Sequence, residues 1–155
     1  MKNAEISRQI QFLDALMKKA AASTKDVELL SHWARYFCVL TAGLIENALK
    51  EIYSEYVTRV ASSPVGSYAR SRLATLQNPN ADKFVEVVGS FDPSWATALE
   101  KFMSDNGRKD AIDSVMAIRH NIAHGKNAGI TYTRIADYFK KAVEVFEFVE
   151  NQVRP

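Results

Sequence analysis

The sequence is dominated by one long helical pattern between residues 26 and 60, "DVELLSHWARYFCVLTAGLIENALKEIYSEYVTRV". This stretch contains no proline, and its apolar residues recur every three or four positions, which is the period of an α-helix. The recurring residues are Leu30, Trp33, Phe37, Leu40, Leu44, Ala48, Ile52 and Tyr56. The pattern predicts a single long helix and favours a helical bundle as the fold.

The same period predicts a helix over about residues 4–22 and another over residues 132–153. Between the long helices, three shorter ones are predicted over residues 81–90, 94–103 and 108–124. No stretch alternates with a period of two for long enough to predict a strand. We therefore expect an all-α bundle of about five to seven helices, in which the first two helices pair with the helix at 108–124 and with the last one.

Local signals mark where these helices begin and end. Asn80 and Asp92 each offer a side-chain oxygen to the free amides of a first helical turn. Pro93 occupies a first helical position, where its missing donor costs nothing. Gly125 offers the left-handed residue that closes a helix, and the serines and proline of "ASSPVG", residues 61–66, break the long one.

Composition limits the architecture and the location. A chain of 155 residues with 47% hydrophobic and 25% charged residues predicts one soluble globular domain over residues 1–155. The single cysteine, Cys38, cannot form an internal disulfide, and no secretory signal or apolar stretch of about 20 residues is apparent. We therefore expect a cytoplasmic protein with no membrane segment. The net charge of +2 neither requires nor excludes a polyanionic partner.

The stretch "AIRHNIAHGKN", residues 117–127, holds several side chains that could take part in catalysis. Two of the three histidines of the sequence lie there, close to Arg119. His120 and His124 are four residues apart and share one face of a helix. Arg119 and His124 would lie about 140° apart on an unbroken helix. They converge on one phosphate only if the helix ends near His124, if the arginine reaches around, or if a second subunit adds its own copy.

Here the sequence resembles a known family. "RHNIAHG" resembles the R-x4-6-H motif of HEPN domains, with four residues between Arg119 and His124. The segments "AGLIENALKEIY", "NPNADKF", "FDPSW" and "AIDSVMAIRHNIAHG" occur in the order found in HEPN domains of the RiboL-PSP type. The resemblance covers most of residues 27–152.

The resemblance implies an endoribonuclease that needs no metal or other cofactor and acts as a homodimer with a composite site. It assigns Arg119 and His124 to the catalytic motif, and His120 and Asn121 to supporting polar positions. Glu46 lies where similar proteins carry an acidic residue on the long helix. RNA is the implied substrate, and a toxin–antitoxin or phage-defence setting, with an antitoxin or other partner protein, is the implied context.

The residue types suit this chemistry. Cleavage of RNA without a metal requires the ribose 2′-hydroxyl to attack the adjacent phosphate, and an imidazole can move that proton near neutral pH. The planar fork of an arginine matches the extra charge on the phosphoryl oxygens in the transition state. DNA lacks the 2′-hydroxyl, so this mechanism predicts cleavage of RNA alone, with a 2′,3′-cyclic phosphate product.

Three other interpretations remain open. Arg119 could pair with Glu46 or another carboxylate while His124 only caps the helix end, which would make the motif structural. His120 and His124 could form half of a zinc site, although no H-E-x-x-H motif and no cysteine pair accompany them. A HEPN-fold dimer could also bind RNA, a nucleotide or a protein without cutting.

Aromatic and basic residues elsewhere are candidates for contacts with RNA. Tyr68 or Tyr132 could stack a base, although aromatic residues at such positions more often pack. Three basic pairs, if folding brings them beside His124, would line a groove for the RNA backbone; otherwise they are solvated surface. The pairs are Arg70 with Arg72, Arg108 with Lys109, and Lys140 with Lys141.

Overall fold

A computed structural model describes residues 1–154 and contains no strand within them. Its helices are α1 (Ala4–Ser23), α2 (Val27–Val60), α3 (Ser63–Ala74), α4 (Ala81–Phe91), α5 (Pro93–Ser104), α6 (Arg108–Ala123) and α7 (Tyr132–Val153). The predicted all-α bundle is confirmed, and the seven helices of the described chain fall at the upper end of the expected range.

Helix α2 is the central element, and it packs against α1, α3, α6 and α7. Its apolar side is fully buried along most of its length, as Phe37, Ile45 and Tyr53 illustrate. The predicted pairing with α6 and α7 is therefore confirmed for α2. Helix α1 packs along α2 instead, and it meets α7 through hydrogen bonds such as the one from the Tyr132 hydroxyl to the Met17 carbonyl, at 2.9 Å.

Six predicted helices have the expected position, and the end signals identified for α4, α5 and α6 act as the sequence indicates. The Asn80 side chain accepts the Lys83 amide at 2.9 Å, and the Asp92 side chain accepts the amide of Ser94 at 2.7 Å. Gly125 follows α6 with a φ of +66°. The helix ends differ from the predicted ones by one residue or none in most cases.

Helix α3 is missing from the sequence prediction. The break at Ala61 is real, but the proline of "ASSPVG" lies in the first turn of a new helix, where proline is tolerated. Leu73 and Gly66 are the buried residues of α3. With so few apolar positions, the helical period is too weak to see in the sequence.

The contact between α2 and α6 is close and apolar. The Cys38 side chain is buried there and its thiol donates to the Val115 carbonyl at 3.5 Å. Burial raises the pKa of the Cys38 thiol to about 12, although the nearby backbone amide of Arg119 acts in the opposite direction. This contact fixes the orientation of α6 and of the residues at its end.

No helix in the described part of the chain has the length and apolar character to cross a membrane.

Candidate active site at the end of helix α6

Helix α6 ends one residue before the motif histidine. His124 is the C-cap residue, with φ −96° and ψ 14°, and its amide donates to the His120 carbonyl at 3.1 Å. The amides of Gly125 and Lys126 donate to the carbonyls of Ile122 and Asn121, at 3.1 and 2.9 Å. Backbone amides thus satisfy these carbonyls, and the His124 imidazole is not needed to cap them.

The two motif histidines form a contacting pair. Their ring centroids are 4.4 Å apart, and the ring planes are tilted by 55°. Both residues are exposed to solvent. The expectation that His120 and His124 share one face is therefore confirmed, and both imidazoles are accessible to a substrate.

A surface cavity of about 370 Å³ lies beside this pair. Arg119 and His120 line it from α6, and residues of the α3–α4 loop complete the opposite wall. The lining residues are Asn78, Asn80, Asp113, Met116, Ala117, Arg119 and His120. His124 lies outside this lining and reaches the cavity edge through its contact with the His120 ring.

The loop wall of the cavity donates hydrogen bonds to carboxylates on two helices, α2 and α6. Asn78 has a φ of +45°, which asparagine tolerates better than most residues, and its amide donates to the Glu46 carboxylate at 2.7 Å. The Ala81 amide donates to the Asp113 carboxylate at 2.8 Å. The "NPN" turn is therefore fixed between α2 and α6.

Glu46 supports the loop and does not pair with the motif arginine. Its carboxylate accepts from Lys50 Nζ and from the Asn78 amide, each at 2.7 Å. Burial acts to raise the pKa of Glu46, but these two hydrogen bonds and the charges of Lys50 and Arg119 outweigh it and hold the pKa below its ordinary value. Glu46 thus contributes negative potential near Arg119 from behind the cavity.

Arg119 is half-buried, and within residues 1–154 its guanidinium has no ion-pair partner. The interpretation in which Arg119 forms an ion pair with Glu46, and the motif is only structural, therefore does not agree with the structure. A guanidinium with open donors at the wall of a cavity is suited to an anion such as a phosphate.

The sequence-predicted residues are thus brought together only in part. Arg119 and His120 share the cavity, His124 contacts His120, and Glu46 lies behind the loop. Asn121 is half-buried and is not among the cavity residues. In the described part of the chain, His124 is not among the residues that line the cavity of Arg119.

The cavity also contains residues that sequence reasoning did not assign to the site. Asn78 and Asp113 had no predicted role, and Asn80 was identified only as a helix cap. The repeated asparagines of "NPN" were one available signal, since such residues favour turns, and the segment "NPNADKF" in the family resemblance was another. Their position opposite Arg119 depends on the packing of α4 against α6.

The zinc interpretation lacks a third ligand. Across residues 1–154, no group of three or more histidine, cysteine, aspartate or glutamate side chains is placed to hold one metal ion. The pair of His120 and His124 would have to find its other ligands outside this set.

Comparison with known proteins identifies the family. A family model described as RiboL-PSP-HEPN matches residues 2–154. No curated protein and no solved structure matches the chain at a significant level. The match covers nearly the whole chain and agrees with both the all-α fold and the resemblance drawn from residues 27–152. The protein therefore belongs to the RiboL-PSP-HEPN family.

Proposed function

We propose that this protein is a metal-independent endoribonuclease, and that Arg119 and His124 of two identical subunits form a composite active site. The observation that carries the proposal is the end of α6, where an arginine with no ion-pair partner among residues 1–154 lines a cavity beside two exposed, contacting imidazoles. Family membership supports it, because HEPN domains often cleave RNA.

The proposed reaction is an internal transfer of the phosphoryl group. The His124 imidazole takes the proton from a ribose 2′-hydroxyl, and the 2′-oxygen forms a bond to the adjacent phosphorus. The bond from phosphorus to the 5′-oxygen breaks, and that oxygen takes a proton from a second imidazole, supplied by the other subunit. The products are a 2′,3′-cyclic phosphate and a free 5′-hydroxyl.

Arg119 binds the phosphoryl oxygens. Charge accumulates on these oxygens in the transition state, and the paired donors of a guanidinium stabilise it better than a lysine would. The His120 ring contacts the His124 ring, and in this proposal it orients that ring. The asparagines of the opposite wall supply neutral hydrogen-bonding groups to the same cavity.

The homodimer is supported by an apolar groove of about 460 Å³ between α1 and α2. Phe12 is 63% exposed there and Val39 is 40% exposed, and with Leu40 and Leu44 they form one contiguous apolar surface, which is the kind of surface that marks a protein–protein contact. Val39 is seven residues from Glu46 and shares its face of α2. A second copy that covers the groove would therefore lie close to the candidate site.

The direct test is His124→Ala, assayed with end-labelled single-stranded RNA in the presence of EDTA. Loss of the proton-transfer group should slow cleavage by about 10²- to 10⁴-fold. His32→Ala is the matched control, because it removes the third histidine, which is exposed on α2 and outside the cavity. It should cleave at the wild-type rate.

The outcomes separate the enzyme from a binding module. Equal cleavage by wild type and His124→Ala would contradict the proposal and indicate a contaminating nuclease. Tight RNA binding without cleavage by any of the three proteins would favour a HEPN-fold binding module instead.

We further propose a toxin or phage-defence setting, in which an antitoxin or another partner protein restrains the activity. Expression of the wild-type protein without its partner should then reduce bacterial colony counts, whereas expression of His124→Ala should not. Equal colony counts for the two proteins would contradict this setting.

A further inference from the structure

A second and larger groove lies on the other side of the loop that borders the candidate site. It is formed between α3 and α4, and its volume is about 590 Å³. Leu73, Leu76, Val87 and Phe91 give it an apolar floor, and Leu73 and Leu76 are each 6% exposed. This mixture of apolar floor and polar rim suits a flat, partly apolar group such as a nucleobase.

The rim of this groove carries two exposed side chains, a tyrosine and an arginine. Tyr68 is 69% exposed, so its ring is open to contact from solvent. Arg72 is exposed on the same helix and has no ion-pair partner within residues 1–154. Lys83 on the opposite rim is instead paired with Glu86, at 2.7 Å.

Most of the other candidate RNA contacts are already bonded. Arg70 donates to the Thr58 hydroxyl at 3.3 Å, Arg108 pairs with Glu144 at 2.6 Å and Lys109 pairs with Asp82 at 2.6 Å. The Tyr132 hydroxyl donates to a backbone carbonyl. Tyr68 and Arg72 are thus an aromatic and a basic residue, one helical turn apart, whose exposed side chains are both available to contact RNA.

The groove is continuous with the candidate site along the chain. Gln77 lines the groove and Asn78, the next residue, lines the cavity that contains Arg119. A strand of RNA with its scissile phosphate at Arg119 would have to cross only this loop to enter the groove.

We propose that the groove between α3 and α4 binds single-stranded RNA beside the cleavage position, with one base stacked on Tyr68 and a phosphate held by Arg72. This inference rests on the proposed function for its link to cleavage. Single strands are favoured over duplexes because only an unpaired base can present its face to an aromatic ring.

The test measures binding separately from cleavage. The probe is a fluorescein-labelled, 2′-O-methylated RNA of ten nucleotides, which cannot be cut because its attacking hydroxyl is blocked. Tyr68→Ala should weaken binding by about 5- to 150-fold, measured by fluorescence anisotropy, because it removes one stacking surface. Tyr68→Phe keeps the ring and should bind like the wild type.

Arg72 has a matched control on its own helix. Arg72→Ala should reduce the slope of log affinity against log salt by about 0.7, the value for one phosphate contact on a single strand. Arg70→Ala removes the same charge, but from a side chain that is bonded to α2, and should leave the slope unchanged.

Failure of this inference is distinguishable from failure of the proposed function. Equal probe affinity for Tyr68→Ala and wild type, equal salt slopes for the Arg70 and Arg72 variants, or no binding of the probe by wild type would each overturn the groove assignment. Tyr68-dependent binding by a wild-type protein that cleaves no RNA would support the groove and overturn the nuclease.

Discussion

The guanidinium of Arg119 lacks the kind of protein partner that most other arginines of the described chain have. Arg35 donates to the Ala128 carbonyl, Arg108 pairs with Glu144, and Arg154 pairs with Glu55. Arg119 has no such partner within the described chain, although it is half-buried. An arginine whose donors have no protein partners gives up hydrogen bonds that would stabilise the fold. Its position is therefore better explained by binding of a ligand than by a contribution to stability.

Glu46 gives a pH-dependent prediction at the scale of one residue. Its pKa is lowered in the folded protein, so its contribution to stability is fully present above the ordinary pKa of a glutamate and is lost as the pH falls through the lowered, folded-state pKa. Glu46→Gln should therefore be less stable than wild type at pH 7, by on the order of 1 kcal/mol, and the difference should vanish at acid pH. Urea unfolding at several pH values measures this.

A suitable control is Glu86→Gln, which removes a carboxylate from an exposed ion pair on α4. Exposed pairs contribute little, so this change should have almost no effect at either pH. A Glu46→Gln difference that stays constant between neutral and acid pH would contradict the role of the Glu46 charge.

The residues of the site differ in how far sequence could predict them. Arg119, His120 and His124 lie within one short motif, and the four-residue spacing of the histidines alone predicts their contact. Asn78 and Asp113 come from separate parts of the chain. Only the packing of helices brings them to Arg119, and no local pattern encodes that packing.

At the scale of elements, signals in the local sequence predict every helix of the described chain except α3. The contact of α3 with α2 explains why that helix forms. Helices α4 and α5 begin at capping residues that the sequence identifies directly, Asn80 and Asp92. Helix α3 was missed because its face toward α2 is short and carries few apolar residues. Contact with α2 is therefore a better explanation for this helix than its own periodicity.

The end of α6 yields a prediction about Gly125. Its φ of +66° is unfavourable for a residue with a Cβ, while an added Cβ would meet no atom within 4 Å. The cost of Gly125→Ala is therefore purely conformational, about 1 kcal/mol, which should lower the Tm by about 2–4 °C. Thermal unfolding followed by circular dichroism measures the change.

Gly129→Ala is the matched control, because Gly129 lies in the same loop, has no positive φ and also has open space around it. It should leave the Tm unchanged or raise it slightly. A Gly125→Ala protein as stable as Gly129→Ala would show that the left-handed turn does not constrain the end of α6.

At the scale of the whole molecule, the apolar groove between α1 and α2 is the surface through which we propose that two copies associate. Phe12→Glu places a charge where the proposed interface buries an aromatic ring, so it should convert the dimer to a monomer in sedimentation analysis. Cleavage of RNA should fall with it, because each site would lose the groups of the second subunit.

Val27→Glu controls for the added charge, since Val27 is 82% exposed at the start of α2 and lies outside this groove. It should remain dimeric and active. A Phe12→Glu protein that still sediments as a dimer would exclude this face as the interface, and a monomeric protein with full activity would exclude the composite site.

Cys38 offers a way to watch α6 move. Its thiol is sealed beneath α6, and it is the only sulfhydryl in the sequence, so any labelling by an alkylating reagent reports one position. A thiol with a pKa of about 12 is almost inert at neutral pH, and reagent gains access only when α6 separates from α2. The rate of modification therefore measures how often α6 separates from α2. Binding of RNA or of a second copy that holds α6 against α2 should slow the modification.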